Sequence, residues 1–523
     1  MHTAYFDTQT TLQSNATYRF DPEKSNIYLP DTQETPDPKY HDICASDRER
    51  PVLRTAFYLK GLENVTLDFG GATLLLHGRI QPFLLDQCRN VTIKNVTVEY
   101  ERSLFTELEI LSHTEGELRT RPKHRFPCRV ENGYFIPYSK DWEDREVHVG
   151  ECHFMEAFDS QSGAGCGLTV AYIGEEIVMR KHPPAHNIQH VKVRGEGEDI
   201  IFTGTFPAHW DASMTLAIEH EPRDKSNLAM YHCQNVRIEN YRILNGCGMG
   251  LYAMYTENIT VDRFLLYRDE QSHGIVTNSA DGIHFVACKG RIEVTDSIFE
   301  GTLDDAVNIH ANYYQTVRGE SNTLFAARSS LSNGLSAFSG AFQAGDEIAV
   351  YHGNTLELKQ RFLLQGVQIP ERWQVELTTD RPADGLCEGD LIENLSTNPQ
   401  FIFRRCRFGK ANTHLRLQSR GSSLIEDCLF ELPILLSGDT DYWFEASPIE
   451  DLTIRNCRFC GERGRIDICP RFNPTPKAPY YHSGVTVTNC TFDNPAPLKA
   501  SHAERILFTD CTLKGATHDS QSL

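Results

Sequence analysis

Five short strings toward the end of the chain, RRCRF, EDCLF, RNCRF, TNCTF and TDCTL, place a cysteine in the same local setting each time. These are Cys406, Cys428, Cys457, Cys490 and Cys511, at intervals of 22, 29, 33 and 21 residues. A unit of that length cannot bury its apolar face alone, so it has to stack on copies of itself. The residues around each cysteine are rich in β-branched types, alternate with period two and show no helical periodicity. The expected fold is all-β: a right-handed parallel β-helix, with Cys and Phe as inward ladders and the longer intervals taken up by loops.

The same alternation occurs upstream, in ENVTLDFGG and RNVTIKNVTVEY, and again in LAMYHCQNVRIENYRILNG, MGLYAMYTENITVDRFLLYRD and HFVACKGRIEVTDSIFEG. Two stretches interrupt it. Short alternating runs such as CGLTVAYIG and EEIVMR in the first, and GDEIAVYHG and RWQVELTTD in the second, are separated by turn clusters and read as inserted antiparallel β-barrel-like modules. The expected organisation is residues 1–102 as an N-terminal cap with the first coils, 103–198 as the first module and 199–312 as coils. A second module follows at 313–399, and C-terminal coils with a tail at 400–523. In this division EDIIFTG marks the return to the coil repeat.

Composition narrows the class of ligand. With 51 Lys+Arg against 71 Asp+Glu the net charge is −20, which argues against nucleic acid and for a neutral or cationic ligand. No run approaches the roughly 18 apolar residues of a membrane span. MHTAYFDTQTTL has none of the regions of a signal peptide, so the reading places the chain in the cytoplasm, or makes it a trimmed secreted form. The sixteen cysteines are expected as free thiols, because many sit inside apolar strand patterns. The N-x-[ST] triplets at Asn64, Asn90, Asn95, Asn258 and Asn489 fall in the repeat and are read as strand or turn residues.

The chemistry concentrates between Ser279 and His310. DGIHF aligns with DAVNI at an offset of 24 residues, about one coil, setting Asp281 against Asp305 and His284 against Asn308. Asp304 is one residue out of that register and should present its carboxyl from another direction. Two carboxylates that can share a water and a third that can protonate a leaving group are the equipment of glycoside hydrolysis. The bland alternative is an acidic turn ladder on the surface. Like charges packed this closely shift each other's pKa, however, and such groups tend to mark functional sites. His284, Asn308 and His310 are expected to wall the pocket. Trp443 is read as stacking on a sugar face and Glu445 as accepting hydroxyl hydrogen bonds, against the reading of YWF as plain strand core. Arg416, in HLRLQSR, would meet a ligand hydroxyl or an acidic substituent.

Other patterns do not complete a site. His182, His186 and His190 have helical spacing, but Pro183 and Pro184 break it. The C-x-x-C of Cys457 and Cys460, with Cys469 nearby, is already accounted for by the ladder. Gly195 and Gly197 do not complete a dinucleotide fingerprint. Neither a cofactor nor a metal is expected.

The DGIHF and DDAVNIH pair, together with the coils GMGLYAMYTENITV, WFEASPIEDLTIRNCRF and YHSGVTVTNCTF, resembles glycoside hydrolase family 110, the inverting exo-α-1,3-galactosidases. The resemblance covers nearly the whole chain and implies a β-helix interrupted by barrel modules. It further implies Asp304 as general acid, Asp281 and Asp305 as the pair that activates water, and a terminal α-galactosyl oligosaccharide or glycan as substrate. A homodimer is compatible with it. Ile283 and Leu303 depart from the Thr and Gly often found there, which bears on pocket shape more than on mechanism. Carboxyl separation decides between inversion and retention, and it is not readable in a sequence. Two rivals stand beside this reading. One is a β-helix polysaccharide lyase whose acids hold Ca²⁺, with a Lys or Arg abstracting the proton; neither acid motif carries such a residue. The other is a non-catalytic carbohydrate-binding β-helix, which would not need three converging acids.

Overall fold

The computed structural model describes residues 3–27, 34–35, 53–78, 80–138, 152–173, 189–220, 226–268, 274–328, 340–371, 374–440, 443–472, 480–514, 516–518 and 521–522. His182, His186 and the strings VHVG and EEIVMR lie outside these residues, as does the Pro-rich stretch 31–42 apart from Glu34 and Thr35.

The chain is all-β, with long parallel ladders nearly closed round an axis, as in a parallel β-helix. One ladder pairs Leu53–Lys60, Ile80–Asp86, Leu228–Tyr231, Leu251–Met254, Ile283–Val286, Val307–Glu320, Leu415–Leu417, Ile434–Leu436, Ile466–Ile468 and Leu498–Ala500, in that order. A second runs from Ala16–Phe20 through Glu63–Leu76, Arg89–Tyr100, Gln234–Ile243 and Glu257–Leu266 and on to Ala503–Thr509. Among the described residues no helix is long and apolar enough to cross a membrane.

Between the ladders lies one continuous core built from the period-two inward residues. Phe299, Phe408, Phe430, Phe459 and Phe492 stack ring on ring, with centroids 5.3, 5.1, 4.8 and 4.4 Å apart. Beside them the Cys406 amide donates to the Cys428 sulfur, Cys428 to Cys457 and Cys457 to Cys490, each at 3.4 Å. These ladder cysteines are free thiols, as expected.

The corners between strands need left-handed backbone, which asparagine adopts more readily than other side chains. Asn64, Asn90, Asn235 and Asn258 all have φ between 54° and 58°. Their amides form a column: Asn258 donates to Asn235, Asn235 to Asn90 and Asn90 to Asn64, at 3.2, 2.9 and 2.8 Å. Asn489 donates to Asn456 in the same way, at 2.8 Å. The N-x-[ST] triplets therefore coincide with coil corners.

Both interruptions leave the stack unbroken: Phe83 pairs with Leu228 across the first, and Val307 with Leu415 across the second. The first is a seven-stranded closed barrel with its own apolar core, antiparallel except where Ala171–Ile173 pair in parallel with Gln189–Val191. Its circuit includes Asp199–Thr203 and Met214–Glu219, so it reaches residue 219, beyond the expected boundary at 198. EDIIFTG is a barrel strand, paired antiparallel with Gln189–Glu196 and Glu117–Pro122, and not a coil. Its alternation looks the same in either setting, because period two reports a strand and not its partner. In the second insertion, antiparallel pairings link the far end of Val307–Glu320 with Thr323–Arg328, Gln374–Thr379, Leu358–Glu371, Glu347–Tyr351 and Leu391–Asn394 in a closed circuit.

The stacked core should tolerate truncation poorly. Phe430, fully buried between Phe408 and Phe459, is expected to cost about 3–5 kcal/mol on replacement by Ala. Denaturant unfolding of Phe430→Ala checks this; a loss below about 1 kcal/mol would show that the stack is not a main stabilising element.

Candidate functional site

The site is built on the outer face of three adjacent coils. Ile283, Phe285, Val307, Ile309, Leu415 and Leu417 all enter the core, so the residues between them face the other way. Register then aligns His284 with Asn308 and Asn308 with Arg416 in one outward column. Tyr252 continues it one coil earlier, its ring edge-on to His284 at 5.7 Å. His310 and Gln418 occupy the next outward positions along their coils.

Asp281 and Asp305 stand just before their strands, one coil apart, as the offset of 24 implies. Gly282 donates to the Asp305 carbonyl at 2.9 Å, and Gly250 to that of Asp281 at 2.8 Å. The approach is too close for a side chain: a Cβ on Gly282 would lie 2.5 Å from the Ala306 carbonyl oxygen. Asn278 ties the turn together, donating to the carbonyls of Gly248, Ala280 and Asp281 at 2.8, 3.1 and 2.8 Å, while Asn227 donates to its Oδ1 at 3.1 Å.

This outward face is polar and yet covered. The short strand Glu445–Ala446 pairs antiparallel with Ala311 and Asn312 and carries Glu445 over the column. Glu445 Oε1 accepts from Asn308 at 3.4 Å, and Oε2 accepts from Gln418 at 3.2 Å and from Arg416 at 3.4 Å. Arg416 also donates through Nε to Asp305 Oδ2 at 3.0 Å, and His414 Nδ1 lies 2.7 Å from Oδ1 of the same carboxylate. His284 Nδ1 lies 2.9 Å from Asp281 Oδ2, and its Nε2 is 2.8 Å from His310 Nε2. Asp281, His284, Asp305, Asn308, His310, Arg416 and Glu445 are all at least nine-tenths buried.

Burial alone would raise the Asp305 carboxyl, but Arg416 and His414 outweigh it and hold it well below the usual range. Burial would likewise raise Glu445; the charge of His310, when it is protonated, and that of Arg416 instead lower it. For Arg416 burial works downward, and Asp305 and Glu445, with Asp304 contributing, raise it nonetheless. Burial lowers His310 to about 4, which leaves it neutral near pH 7. The site thus holds fixed carboxylates beside a fixed guanidinium.

Asp304 differs from its neighbour. It is half-buried on a bend, its Oδ1 accepts the Asp305 amide at 3.0 Å, and its carbonyl accepts the hydroxyls of Thr302 and Thr413 at 2.8 and 2.6 Å. Trp443, also half-buried, stands two residues before Glu445 on the covering segment. His284, Asn308, His310, Arg416 and Glu445, each expected from the sequence, thus form one cluster with Asp281 and Asp305.

His414, Gln418 and Asn278 were not among the expected residues. His414 belongs to a segment clamped from several sides. Arg463 donates to the carbonyls of Asn412 and Thr413 at 2.6 and 2.8 Å. Asn412 accepts from Gly167 of the first barrel at 2.7 Å and donates to Glu156 of the same barrel at 2.8 Å. The first barrel is thereby docked beside the acids. A hollow of about 410 Å³ on that barrel, lined by Gly133, Lys192, Val193, Arg194 and Thr203, contains none of the site residues.

An Asp whose folded pKa is depressed stabilises the protein above its unfolded value, near 3.9, and that contribution is lost as pH falls through the folded value. Asp305→Asn is therefore expected to be less stable than the parent by about 3–5 kcal/mol at neutral pH, since it breaks a buried pair. The difference should persist to about pH 4 and narrow only in stronger acid. Denaturant unfolding at stepped pH checks this; a gap that closes between pH 7 and 5 would contradict it.

Comparison with known proteins bears on what such a cluster serves. The chain is 26% identical over 475 residues to α-1,3-galactosidase B of Bacteroides thetaiotaomicron, covering 87% of this chain and 73% of that protein. It is 25% identical over 484 residues to α-1,3-galactosidase A of Shewanella woodyi, covering 88% and 75%. It is 24% identical over 496 residues to α-1,3-galactosidase A of Bacteroides fragilis, covering 91% and 78%. The chain is thus a distant homologue of the α-1,3-galactosidases A and B of glycoside hydrolase family 110, in line with the resemblance read from its motifs. No family model matches it. Among solved structures, an exopolygalacturonase from Thermotoga maritima is 10% identical, covering 98% of this chain and 82% of that one at a TM-score of 0.33, too low to carry an argument.

Proposed function

We propose that this protein is an exo-acting glycoside hydrolase that removes terminal α-1,3-linked galactose from glycans by a single displacement with inversion. The observation that carries this reading is the stacking of Asp281 over Asp305 on successive coils, with Asp304 beside them. Homology to enzymes named α-1,3-galactosidases supplies the substrate class. The coils are taken as right-handed, the hand that parallel crossovers adopt in nearly all sheets.

The environments of the acids suggest how the work is divided. Asp304, half-buried and outside the Arg416 and His414 pair, protonates the glycosidic oxygen as the bond breaks. Asp305 stays ionised at any working pH, but a carboxylate held that low is a weak proton acceptor. Its part is to orient the water. Asp281, contacting His284, takes the water's proton as the oxygen attacks the anomeric carbon. Asn308 and Arg416 address the sugar hydroxyls, and Trp443 offers a ring for the apolar sugar face.

Arg416 also bears on the lyase alternative. It is the cation nearest in register to the acids, yet its contacts with Asp305 and Glu445 strengthen its hold on its proton, opposite to what an abstracting base requires. Asp305 is already engaged by Arg416 and His414, a poor start for the all-oxygen shell that Ca²⁺ prefers.

A panel of α- and β-linked aryl glycosides and galactosyl disaccharides, assayed for released sugar, tests the substrate class; turnover confined to α-galactosides is expected. Asp304→Asn should slow hydrolysis of an α-1,3-linked galactosyl disaccharide by about 10²–10⁴-fold while the melting temperature stays within a few degrees. Full activity in that variant would remove Asp304 from the acid role, and an unsaturated product from any substrate would replace the hydrolase reading with the lyase.

A further inference from the structure

Among the described residues, one group of His, Cys, Asp and Glu side chains brings three potential ligand atoms together: His284, His310 and Glu445, with those atoms all within 4.8 Å of one another. We propose that His284 Nε2, His310 Nε2 and Glu445 Oε1 form a site for a single divalent transition-metal ion of the zinc, cobalt, nickel or copper class.

The distances suit one ion. Two nitrogens bound at about 2.1 Å and near a right angle lie about 3 Å apart, and the two Nε2 atoms here are 2.8 Å apart. An oxygen bound at about 2.1 Å and roughly 120° from one of them would lie about 3.6 Å from it, and Glu445 Oε1 is 3.7 Å from His310 Nε2. Modest opening of the two rings brings all three atoms into a single shell. Two imidazoles and one carboxylate with further positions open is a donor set that suits first-row transition ions and not Ca²⁺ or Mg²⁺.

The atoms that would not bind the ion are each held from behind. His310 Nδ1 donates to the Ala311 carbonyl at 2.6 Å. His284 Nδ1 faces Asp281 Oδ2 at 2.9 Å, the carboxylate–histidine arrangement usual behind metal ligands. Glu445 Oε2 is pinned by Gln418 and Arg416, while Oε1, which also accepts from Asn308 at 3.4 Å, lies on the side of the histidines.

The hydrogen-bond geometry leads to the same place. His310 Nδ1 donates to the Ala311 carbonyl, which turns the Nε2 of that ring to His284 Nε2 at 2.8 Å. An ion between the rings would take a lone pair from each Nε2 and leave both Nδ1 atoms to donate, to Asp281 and to Ala311. Asp281, Asp305 and Glu445 against Arg416 leave an excess of formal negative charge around the position.

The inference does not rest on the glycosidase reading, because binding is measured directly. Chelator-treated, dialysed full-length protein is titrated with ZnCl₂ by calorimetry and with CoCl₂ by visible absorption, and Cu²⁺-loaded protein is examined by electron paramagnetic resonance. One ion per chain is expected, with d–d bands for Co²⁺ and nitrogen hyperfine structure from two imidazoles for Cu²⁺. His310→Gln and Glu445→Gln, shown to be folded by circular dichroism, should each weaken Zn²⁺ by at least about 10–100-fold, more than the loss of a residue behind a ligand costs. No saturable binding overturns the proposal. So does hyperfine structure from fewer than two imidazoles in the unmodified protein, a test that stands even if neither variant folds, and so does affinity unchanged in both variants.

Discussion

Everything at the site depends on parallel strand register. Ile283, Val307 and Leu415 are buried in line, and each draws the residue after it, His284, Asn308 and Arg416, onto the opposite face in line as well. Because side chains alternate, a slip of one residue in any of these coils would send a polar group into the core and an aliphatic one into the site. The apolar interior therefore fixes the polar exterior, and the carboxylates inherit their stacking from residues with no chemistry of their own. The glycines at 250 and 282 allow the turns to approach closely enough for that stacking.

The charge network is a poor way to stabilise a fold. Desolvation of buried ions offsets most of their mutual attraction, and well-packed apolar residues often do as well. What Asp305, Arg416 and Glu445 achieve is fixed ionisation in a dry place, where charge acts strongly on whatever enters. The inserted modules serve this end. The second departs from the coil that carries His310, and Glu445 reaches the column by pairing beside that departure point. The first docks through Glu156 and Gly167 on Asn412, next to the segment that presents His414 to Asp305. Each insertion thus braces one side of the acid cluster while the coil stack passes beneath.

The parts legible in the sequence were those carried by local period. A spacing of 24 sufficed to set Asp281 on Asp305, since no insertion lies between them. The Cys and Phe ladders of the C-terminal coils were legible for the same reason. His414 was not, because its partner lies across the second insertion and the pairing of Val307 with Leu415 leaves no trace in either segment alone. Gln418 and Asn278 were missed because a buried amide looks like any other polar strand or turn residue until its partners are known. The first barrel ended later than its turn pattern suggested, since Asp199–Thr203 alternates just as a coil strand does. Arg416 and Glu445 were picked out as sugar-binding residues; that they bind each other, and that Arg416 also binds Asp305, needed coordinates.

The central claim is that Asp281 and Asp305 hold a water for direct displacement while Asp304 serves the leaving group from another side. That proposal entails inversion without a covalent sugar intermediate. Proton NMR of the first-formed galactose, recorded faster than mutarotation on an α-1,3-linked galactosyl disaccharide, reads the outcome directly. The β-anomer appearing first is the predicted result, and the α-anomer appearing first would contradict it.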